Sequence, residues 1–291
     1  MKSRSPALFD ELGPRGQKRL KIATVVAIVA LIGIVGGAIA QLAHVQQLTA
    51  RLWAPLIEWS NIRYLLQGLL TTLEVGLTGA AISLVFGTLM GLGRLSTHKW
   101  VSIPCAGLIE LFRAIPLILL VYFFLIGLPM FGWNLPPFWV LTIPIVLHAG
   151  AVFAEIVRAG VNSLDRGQFD AAAAIGLRRG QTMVLVVLPQ VFRSLRPALV
   201  TQVIRTLKES SLGYVVGYPE LLRDGQVIGE YNANFVQTYA FTAVIYIVIN
   251  FGLSRVAELL DRPKKVRRRP DRPAPEPEPE PAASQPAGTL V

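Results

Sequence analysis

The sequence predicts an all-α membrane protein with six transmembrane helices. The mean hydropathy is +0.51, and 53% of the 291 residues are hydrophobic whereas only 16% are charged. A soluble domain carries about 25% charged residues. The chain also contains apolar runs near the length of about 20 residues that a helix needs to cross a bilayer. The composition therefore excludes a disordered chain, a disulfide-stapled scaffold and a collagen-like fibre.

Six apolar runs define the predicted organisation. They occupy residues 22–43, 65–92, 103–130, 138–157, 192–216 and 235–256. The first run exceeds the apolar region of about 7–15 residues in a signal peptide, so it is predicted to be retained as an anchor. The predicted segments are a basic N-terminus (1–21), an N-terminal transmembrane helix (22–44), an external connection (45–64), a membrane core (65–261) and a disordered tail (262–291).

The positions of the basic residues predict the orientation in the cell membrane. If the N-terminus is cytoplasmic, the external segments hold only Arg51, Arg63 and Arg223, and the other basic residues outside the spans are cytoplasmic. This is the positive-inside pattern, which predicts that both termini are cytoplasmic. It accounts for the net charge of +10 without nucleic acid, so a DNA-binding role is disfavoured. The polybasic stretch at 264–269 is suited to anionic lipid.

The sequence lacks the common catalytic and metal-binding motifs. No GxxxxGK[ST], HExxH, CxxC or GxSxG pattern occurs, and the three histidines (His44, His98 and His148) are far apart in sequence. Cys105 is the only cysteine and has apolar neighbours, so a packed thiol is expected. We therefore expect neither an enzyme nor a metal site, and no cofactor in this chain.

The most informative segment is the polar connection between the fourth and fifth spans. Residues 168–175 form a short run of helix-favouring residues with four alanines, and Gly176 stands where a C-terminal cap belongs. A helix with such small side chains can insert closely into a groove of another protein. It equally suits a surface helix lying on the bilayer, and composition does not separate the two.

The spacing in this segment resembles the EAA loop of ABC-importer permeases, E-A-A-x3-G-x9-I-x-L-P. Here Asp170 stands for the glutamate and Val186 for the isoleucine. The stretches 65–96, ELFRAIPL from Glu110 and LKESSL from Leu207 are similar to the polar amino-acid branch of that family. The N-terminal LFDELGPRGQKR and the added first span look most like actinobacterial glutamate-uptake permeases.

The resemblance implies a five-helix permease core plus one N-terminal helix, with residues 161–190 as the coupling loop. It implies a coupling helix seated in a cleft of a cytosolic ATPase subunit, which would bind the ATP. The implied coupling residues are Asp170, Ala171, Ala172, Gly176, Leu188 and Pro189. Further implied partners are a second permease subunit, identical or homologous, and an extracytoplasmic solute-binding protein. The implied activity is import of polar amino acids, with glutamate as the expected substrate, by alternating access.

Two other functions compete with this interpretation. One is an ion-gradient-driven secondary transporter, although no repeat relates the two halves of the chain. The other is a non-transporting membrane scaffold whose cytoplasmic loop is a docking site. The sequence also departs from relatives at Arg178, where a capping serine is common. The cap could come from elsewhere, or Arg178 and Arg179 could meet acidic residues of the ATPase.

Ionisable residues inside the predicted spans are candidates for function, because each costs about 2.5–3.5 kcal/mol at the centre of a span. Glu110 with Arg113, Arg205 with Glu209 and Glu155 with Arg158 have helical pair spacing. Such pairs could only lock helices together, or a cation among them could meet a substrate carboxylate. The candidate passage residues are Glu110, Arg113, Pro116, Arg205, Lys208 and Glu209.

Two further expectations concern helix packing and gating. Pro116 frees a carbonyl within the third span, which makes this span a plausible gate. Replacing Arg113 by alanine is predicted to abolish uptake while membrane insertion and ATPase binding persist. Gly87 and Gly91 form a GxxxG motif that suits close helix contact, including self-association.

Overall fold

The computed structural model describes residues 13–260, and every regular element in that range is helical. The N-terminal residues before 13 and the predicted tail at 262–291 lie outside the described residues. The α-helices are α1 (Pro14–His44), α2 (Ala50–Trp53), α3 (Trp59–Arg94), α4 (Lys99–Ala114), α5 (Leu117–Tyr122), α6 (Leu128–Met130), α7 (Pro137–Asn162), α8 (Arg166–Ala174), α9 (Arg179–Gln181), α10 (Leu188–Ser194), α11 (Arg196–Glu209), α12 (Leu221–Asn232) and α13 (Phe235–Leu260). Short 3₁₀ segments cover Ala54–Ile57 and Ser210–Val216, and π-helical segments cover Phe123–Gly127 and Thr182–Val187.

Four helices, α1, α3, α7 and α13, are each long and apolar enough to cross a membrane. Two bent pairs complete the set of up to six. The first pair joins α4 to α5–α6 at 98°, and the second joins α9–α10 to α11 and the 3₁₀ segment at 68°. The expectation of an all-α protein with several membrane helices is confirmed. Neither the third nor the fifth predicted span is one continuous helix, since each corresponds to a bent pair.

The centre of the fold is the contact between α3 and α7. Small residues allow this contact: a Cβ at Gly87 would overlap the Gly150 carbonyl, and one at Gly91 would lie 2.7 Å from the Ala154 oxygen. The close helix contact expected of the GxxxG motif in α3 is confirmed, and the motif makes it with α7 of the same chain rather than by self-association. Cys105 is buried as expected, against Gly93.

Pro116 breaks the third crossing. Proline has no N–H to donate to the carbonyl four residues earlier, and it forces the preceding residue towards extended backbone. Ile115 accordingly has φ −80° and ψ 125°, which ends α4. The chain restarts as α5, where Leu117 and Val121 pack in a buried cluster with α3 and α7.

The fifth crossing is also interrupted. Leu207 of α11 packs against Gly76 of α3, and the Leu221 N–H at the start of α12 donates to Thr72 Oγ1 at 3.0 Å. Thr72 lies about 20 Å along α3 from Trp59, at about 1.5 Å per residue. Helix α12 therefore begins deep beside α3.

Helix α12 ends near the N-terminal end of α3. The Asn234 side-chain amide donates to the Leu52 carbonyl at 2.8 Å, just before α3 begins. The predicted span at 192–216 lies within the bent pair Arg179–Val216, and α12 is an additional helix where the sequence analysis placed an external connection. The sequence concealed α12 because it carries five polar or charged side chains, which read as a loop (Arg223, Asp224, Gln226, Glu230 and Asn232).

Helix α1 stands apart from the five-crossing core. None of its most apolar window is buried, against 61% for α7. The Gln237 side-chain amide, next to the start of α13, donates to the Gln47 carbonyl, which fixes the connection after α1. Within residues 13–260, the added N-terminal helix is thus tied to the core through the connection that follows it.

Candidate coupling loop and membrane passage

A short helix, α8, occupies the centre of the predicted coupling loop. The Asp165 carboxylate caps its N-terminus by accepting the Gly167 N–H at 2.8 Å. Aspartate is favoured at this position because it satisfies a backbone donor that the helix leaves unpaired. The helix covers Arg166–Ala174, so it starts two residues before the predicted run at 168–175 and ends one residue earlier.

Gly176 ends α8 as the sequence predicts. Its φ is +82°, a left-handed conformation that favours glycine. The Gly176 N–H donates to the Ala173 carbonyl at 2.9 Å, and the Leu177 N–H donates to the Ala172 carbonyl at 3.1 Å. This pair of bonds is the Schellman motif, which fixes the direction in which the chain leaves the helix.

One face of α8 packs on the protein and the other is free. Phe169 joins a cluster with Val161, Val187 and Val191, and Ala172 is 3% exposed. Our expectation that Ala172 faces the ATPase is therefore wrong, because this methyl group points into the fold. The free face consists of Asp170, Ala171, Ala173, Ala174 and Ile175.

Ile175 is a candidate contact that the sequence analysis missed. Its side chain is 76% exposed at the cap of α8, although isoleucine is usually buried. Its position could not be predicted from the helix phase, because Ile175 is three residues after the buried Ala172 but lies at the C-cap, where the helical backbone ends.

Leu188 and Pro189 are the first two residues of α10 and are not part of α8. Pro189 has no N–H for the Leu185 carbonyl, and the Leu188 N–H bonds to Met183 in the π-helical pattern. The following residue, Gln190, donates from Nε2 to Gln168 Oε1 at 3.0 Å. This bond joins the start of α10 to α8.

Arg178 is the N-cap residue of α9. The Gln181 side-chain oxygen accepts the Arg178 backbone N–H at 2.9 Å. Arg178 and Arg179 are both exposed beside α8. Gln181 thus binds the backbone N–H of the N-cap residue, no side chain accepts the first-turn N–H groups of α9, and both guanidinium groups are exposed.

Glu155 is the centre of a charge network at the end of α7 that leads into the coupling loop. Its carboxylate lies 2.5 Å from Arg94, 2.9 Å from Arg158 and 4.0 Å from Arg113. Arg94 also binds Glu110 at 2.9 Å. The expected Glu155–Arg158 pair is confirmed. The expected Glu110–Arg113 pair is wrong, because both residues find partners on other helices.

The second candidate group lies at the interruption of the fifth crossing. Arg205 Nε is 3.3 Å from Glu209 Oε1, which confirms the expected pair. Lys208 has no carboxylate within 4.0 Å among the described residues. Instead it lines a cavity of about 460 Å³ between α11, α12 and α13. Of the three candidate cations, Lys208 alone borders this cavity. Its other lining residues with hydrogen-bonding side chains are Ser211, Tyr239, Thr242, Tyr246 and Asn250.

The N-terminus of α12 is closed by the protein's own carboxylate. Glu220 is fully buried and accepts the N–H groups of Leu222 and Arg223 at 3.0 and 2.8 Å. It also accepts the Tyr246 hydroxyl at 2.8 Å. Because the helix N-terminus is already occupied by an anion, Lys208 is the group of this cavity that offers positive charge to a ligand.

Glu74 is a second candidate that the sequence analysis left aside as an interruption of the second span. It lies 15 residues into α3, is exposed on the single chain and is flanked on the same face by the exposed Leu70 and Leu77. A carboxylate at that depth is costly against lipid. The same cost of placing a charge inside a span, which identified the other candidates, would also have identified Glu74 as a candidate.

The described residues contain no group of three metal-ligating side chains. Arg113 and Glu110 lie in the charge network around Glu155. Pro116 lies close to Arg113 in sequence, at the break between α4 and α5. The structure thus separates the candidate residues of the passage into two groups, one around Glu155 and one beside the cavity.

Comparisons with known proteins agree with this architecture. The family model described as "Binding-protein-dependent transport system inner membrane component" matches residues 83–266. The glutamate transport system permease protein GluD of Corynebacterium glutamicum is 37% identical over 231 residues, which cover 76% of this chain and 83% of the relative. The glutamate/aspartate import permease protein GltK of Escherichia coli is 33% identical over 217 residues, covering 70% of this chain and 97% of the relative.

A solved structure shows the same fold. The crystal structure of an amino acid ABC transporter with histidines has a chain that is 28% identical, with a TM-score of 0.67. The match covers 72% of this chain and 97% of that chain.

Proposed function

Since the chain belongs to the family of binding-protein-dependent transport system inner membrane components, we propose that it is the permease subunit of an importer for polar amino acids, with glutamate as the substrate. Subunits of this family are multi-pass membrane proteins and are not themselves catalytic. In the proposed complex, ATP is bound and hydrolysed by a separate cytosolic ATPase, and this chain holds no cofactor. The relatives GluD and GltK, both glutamate permeases by name, support the choice of substrate.

Helix α8 carries the proposal. It is capped at both ends, anchored by Phe169 and presents a free face that includes Asp170, Ala171 and Ile175. A protruding rigid helix can transmit a displacement, whereas a flexible loop would absorb it. A motor that contacts this face differently in two states would shift the equilibrium between two arrangements of the crossings.

The proposed orientation places α8 and both termini in the cytoplasm. Arg166, Arg178 and Arg179 lie in the coupling loop and belong to the basic side of the chain. Positively charged connections stay on the cytoplasmic side of a membrane. The polybasic stretch at 264–269 then lies beside anionic lipid.

The exposed charges of the crossings support a second permease subunit as a partner. Glu74, Arg113 and Lys208 are all exposed on the isolated chain. Charges at membrane depth face a protein interior or a water-filled cavity rather than lipid. A second subunit, identical or homologous, would cover these faces and complete the passage, and an external binding protein would deliver the amino acid.

Lys208 is the proposed contact for a substrate carboxylate. It lies beside the interruption between α11 and α12, and irregular backbone at membrane depth is tolerated where it lines a cavity. An amino-acid carboxylate entering this cavity would exchange water for an ammonium group and several hydroxyls. A pathway role of Glu110, Arg113, Arg205 and Glu209 is proposed because they are charged at membrane depth, and one of Pro116 because it interrupts the third crossing.

Reconstitution tests the proposed function. The chain is purified with its ATPase, its second permease subunit and its binding protein, and placed in vesicles with radiolabelled glutamate. We expect uptake that requires ATP and the binding protein, with no ATP hydrolysis by this chain alone. Uptake driven by an ion gradient without ATPase would identify a secondary transporter, and ATP hydrolysis that glutamate never stimulates would favour a scaffold.

A further inference from the structure

Arg94 is the last residue of α3, and its guanidinium group joins three helices. Its Nη1 lies 2.5 Å from Glu155 Oε1 on α7, and its Nη2 lies 2.9 Å from Glu110 Oε1 on α4. The Arg94 side chain is 21% exposed and that of Glu155 is 20% exposed, so salt screens this pair less than a surface pair. Arg94 thus engages two carboxylates with the forked geometry that distinguishes arginine from lysine.

The second oxygen of Glu155 is also occupied. Arg158 Nη2 donates to Glu155 Oε2 at 2.9 Å, and Arg158 Nε donates to both carboxylate oxygens at 3.2 and 3.3 Å. Arg113 Nη1 is 4.0 Å from the same Oε2, which is too far for a hydrogen bond. Within residues 13–260, no carboxylate accepts a hydrogen bond from Arg113.

The charges of this network do not cancel. Three guanidinium groups (Arg94, Arg113 and Arg158) share two carboxylates (Glu110 and Glu155), which leaves a net charge of +1. Since Arg94 and Arg158 hold the oxygens of Glu155, the surplus positive charge belongs to Arg113. The Arg113 side chain is 46% exposed. An exposed guanidinium group inside a crossing is suited to meet an anionic group in a water-filled passage.

We propose that Arg94 is a positioning residue for Arg113. By holding Glu155 and Glu110, Arg94 keeps both carboxylates from pairing with Arg113, whose guanidinium group then stays free for a carboxylate of the substrate. The inference rests on the proposed function and on the pathway role of Arg113 within it. Without Arg94, Glu155 Oε1 loses its close partner, and a side-chain rotation brings Arg113 from 4.0 Å to hydrogen-bond distance of Glu155.

Changes of charge distinguish this role from that of a purely structural bridge. Arg94→Gln removes one cation and makes the network neutral. Arg94→Lys keeps the net charge and can hold Glu155, but its single ammonium group loses the fork that also holds Glu110. Arg94→Gln combined with Glu155→Gln removes one charge of each sign and keeps the surplus positive charge. Arg51→Gln, at an exposed position of α2, is the matched control for the loss of an arginine.

The measurement is the number of ATP molecules hydrolysed per glutamate imported by the reconstituted complex, normalised to assembled complex. We expect Arg94→Gln to raise this ratio about 10-fold, in the range of coupled neighbours, because hydrolysis continues while Glu155 captures Arg113. Arg94→Lys and the double variant should stay within about 3-fold of the wild type, and Arg51→Gln should equal it. A wild-type ratio in Arg94→Gln would overturn the proposal. A double variant as impaired as Arg94→Gln would make Arg94 a structural bridge and would also overturn it.

Arg158→Gln offers a second route if Arg94→Gln fails to assemble. It frees Glu155 Oε2, the oxygen nearest Arg113, and should also raise the ratio about 10-fold. Loss of uptake and hydrolysis together, at an unchanged ratio, would show that the replaced arginine only holds helices together, which contradicts the proposal. A wild-type complex that imports no glutamate would instead contradict the proposed function, on which this inference rests.

Discussion

Gln190 donates a hydrogen bond from Nε2 to Gln168 Oε1 at 3.0 Å, across 22 residues of the coupling loop. This bond connects α8 directly to α10, which leads into the interrupted fifth crossing. It is exposed, so its net contribution is about 1 kcal/mol or less.

The first prediction concerns this bond. Gln190→Ala should release one side of α8 and speed hydrogen exchange of the α8 amides about 3-fold, because local opening becomes easier. Gln41→Ala, at an exposed position of α1, is the control. Hydrogen exchange by mass spectrometry is the measurement, and identical exchange in both variants would show that the bond does not hold the helix.

The end of α8 gives a second prediction. Gly176→Ala forces a side chain into the left-handed region at φ +82° and should destabilise the Schellman turn by about 1–2 kcal/mol. No atom lies within 4 Å of the added methyl group, so strain is the only cause. Substrate-stimulated ATP hydrolysis should fall. Gly180→Ala, where a Cβ also has open space but φ is negative, should behave as wild type.

Lys208 gives a third prediction. Lys208→Met keeps most of the side-chain volume and removes the charge, so the KM for glutamate uptake should rise about 10-fold or more. Lys99→Met, at the exposed start of α4, is the matched control. Uptake kinetics in vesicles are the measurement. An unchanged KM with normal maximal uptake would remove Lys208 from the passage.

Arg113 gives a fourth prediction, in which the structure refines the expectation from sequence. Its contact with Glu155 is the longest of three, at 4.0 Å, and its side chain is 46% exposed. Arg113→Ala should abolish uptake, because it removes a cation of the proposed passage. Since the contact is long and exposed, the same change should lower the free energy of unfolding by less than about 1 kcal/mol. Arg158→Ala, which removes a 2.9 Å contact, should cost more stability. Thermal unfolding and uptake of both variants are compared; transport by Arg113→Ala would exclude a pathway role.

The sequence predicts much of this fold for identifiable reasons. Long apolar runs specify α1, α3, α7 and α13, because length and hydropathy suffice to recognise a crossing. The position of Gly176 predicts the end of α8, since few residues tolerate its backbone conformation. The spacing from Asp170 to Pro189 locates the coupling loop.

Other features depend on tertiary contacts and could not be read from the chain. Glu110 and Arg113 have the spacing of a pair, yet Arg94 and Glu155 approach from other helices and compete successfully. Helix α12 is too polar to be recognised until its packing on α3 is known. Ala172 has the same composition as its neighbours, and only the packing of Phe169 determines which alanine points inward.

The central claim is that the free face of α8 contacts an ATPase, and site-directed cross-linking tests it most directly. The buried Cys105 is first replaced by alanine, and a single cysteine is then placed at Ala171, Ala174 or Ala172. With the assembled importer and a short bifunctional reagent, we expect cross-links to the ATPase from positions 171 and 174 and none from the buried position 172. Cross-linking from none of the three, or from 172 alone, would contradict the account.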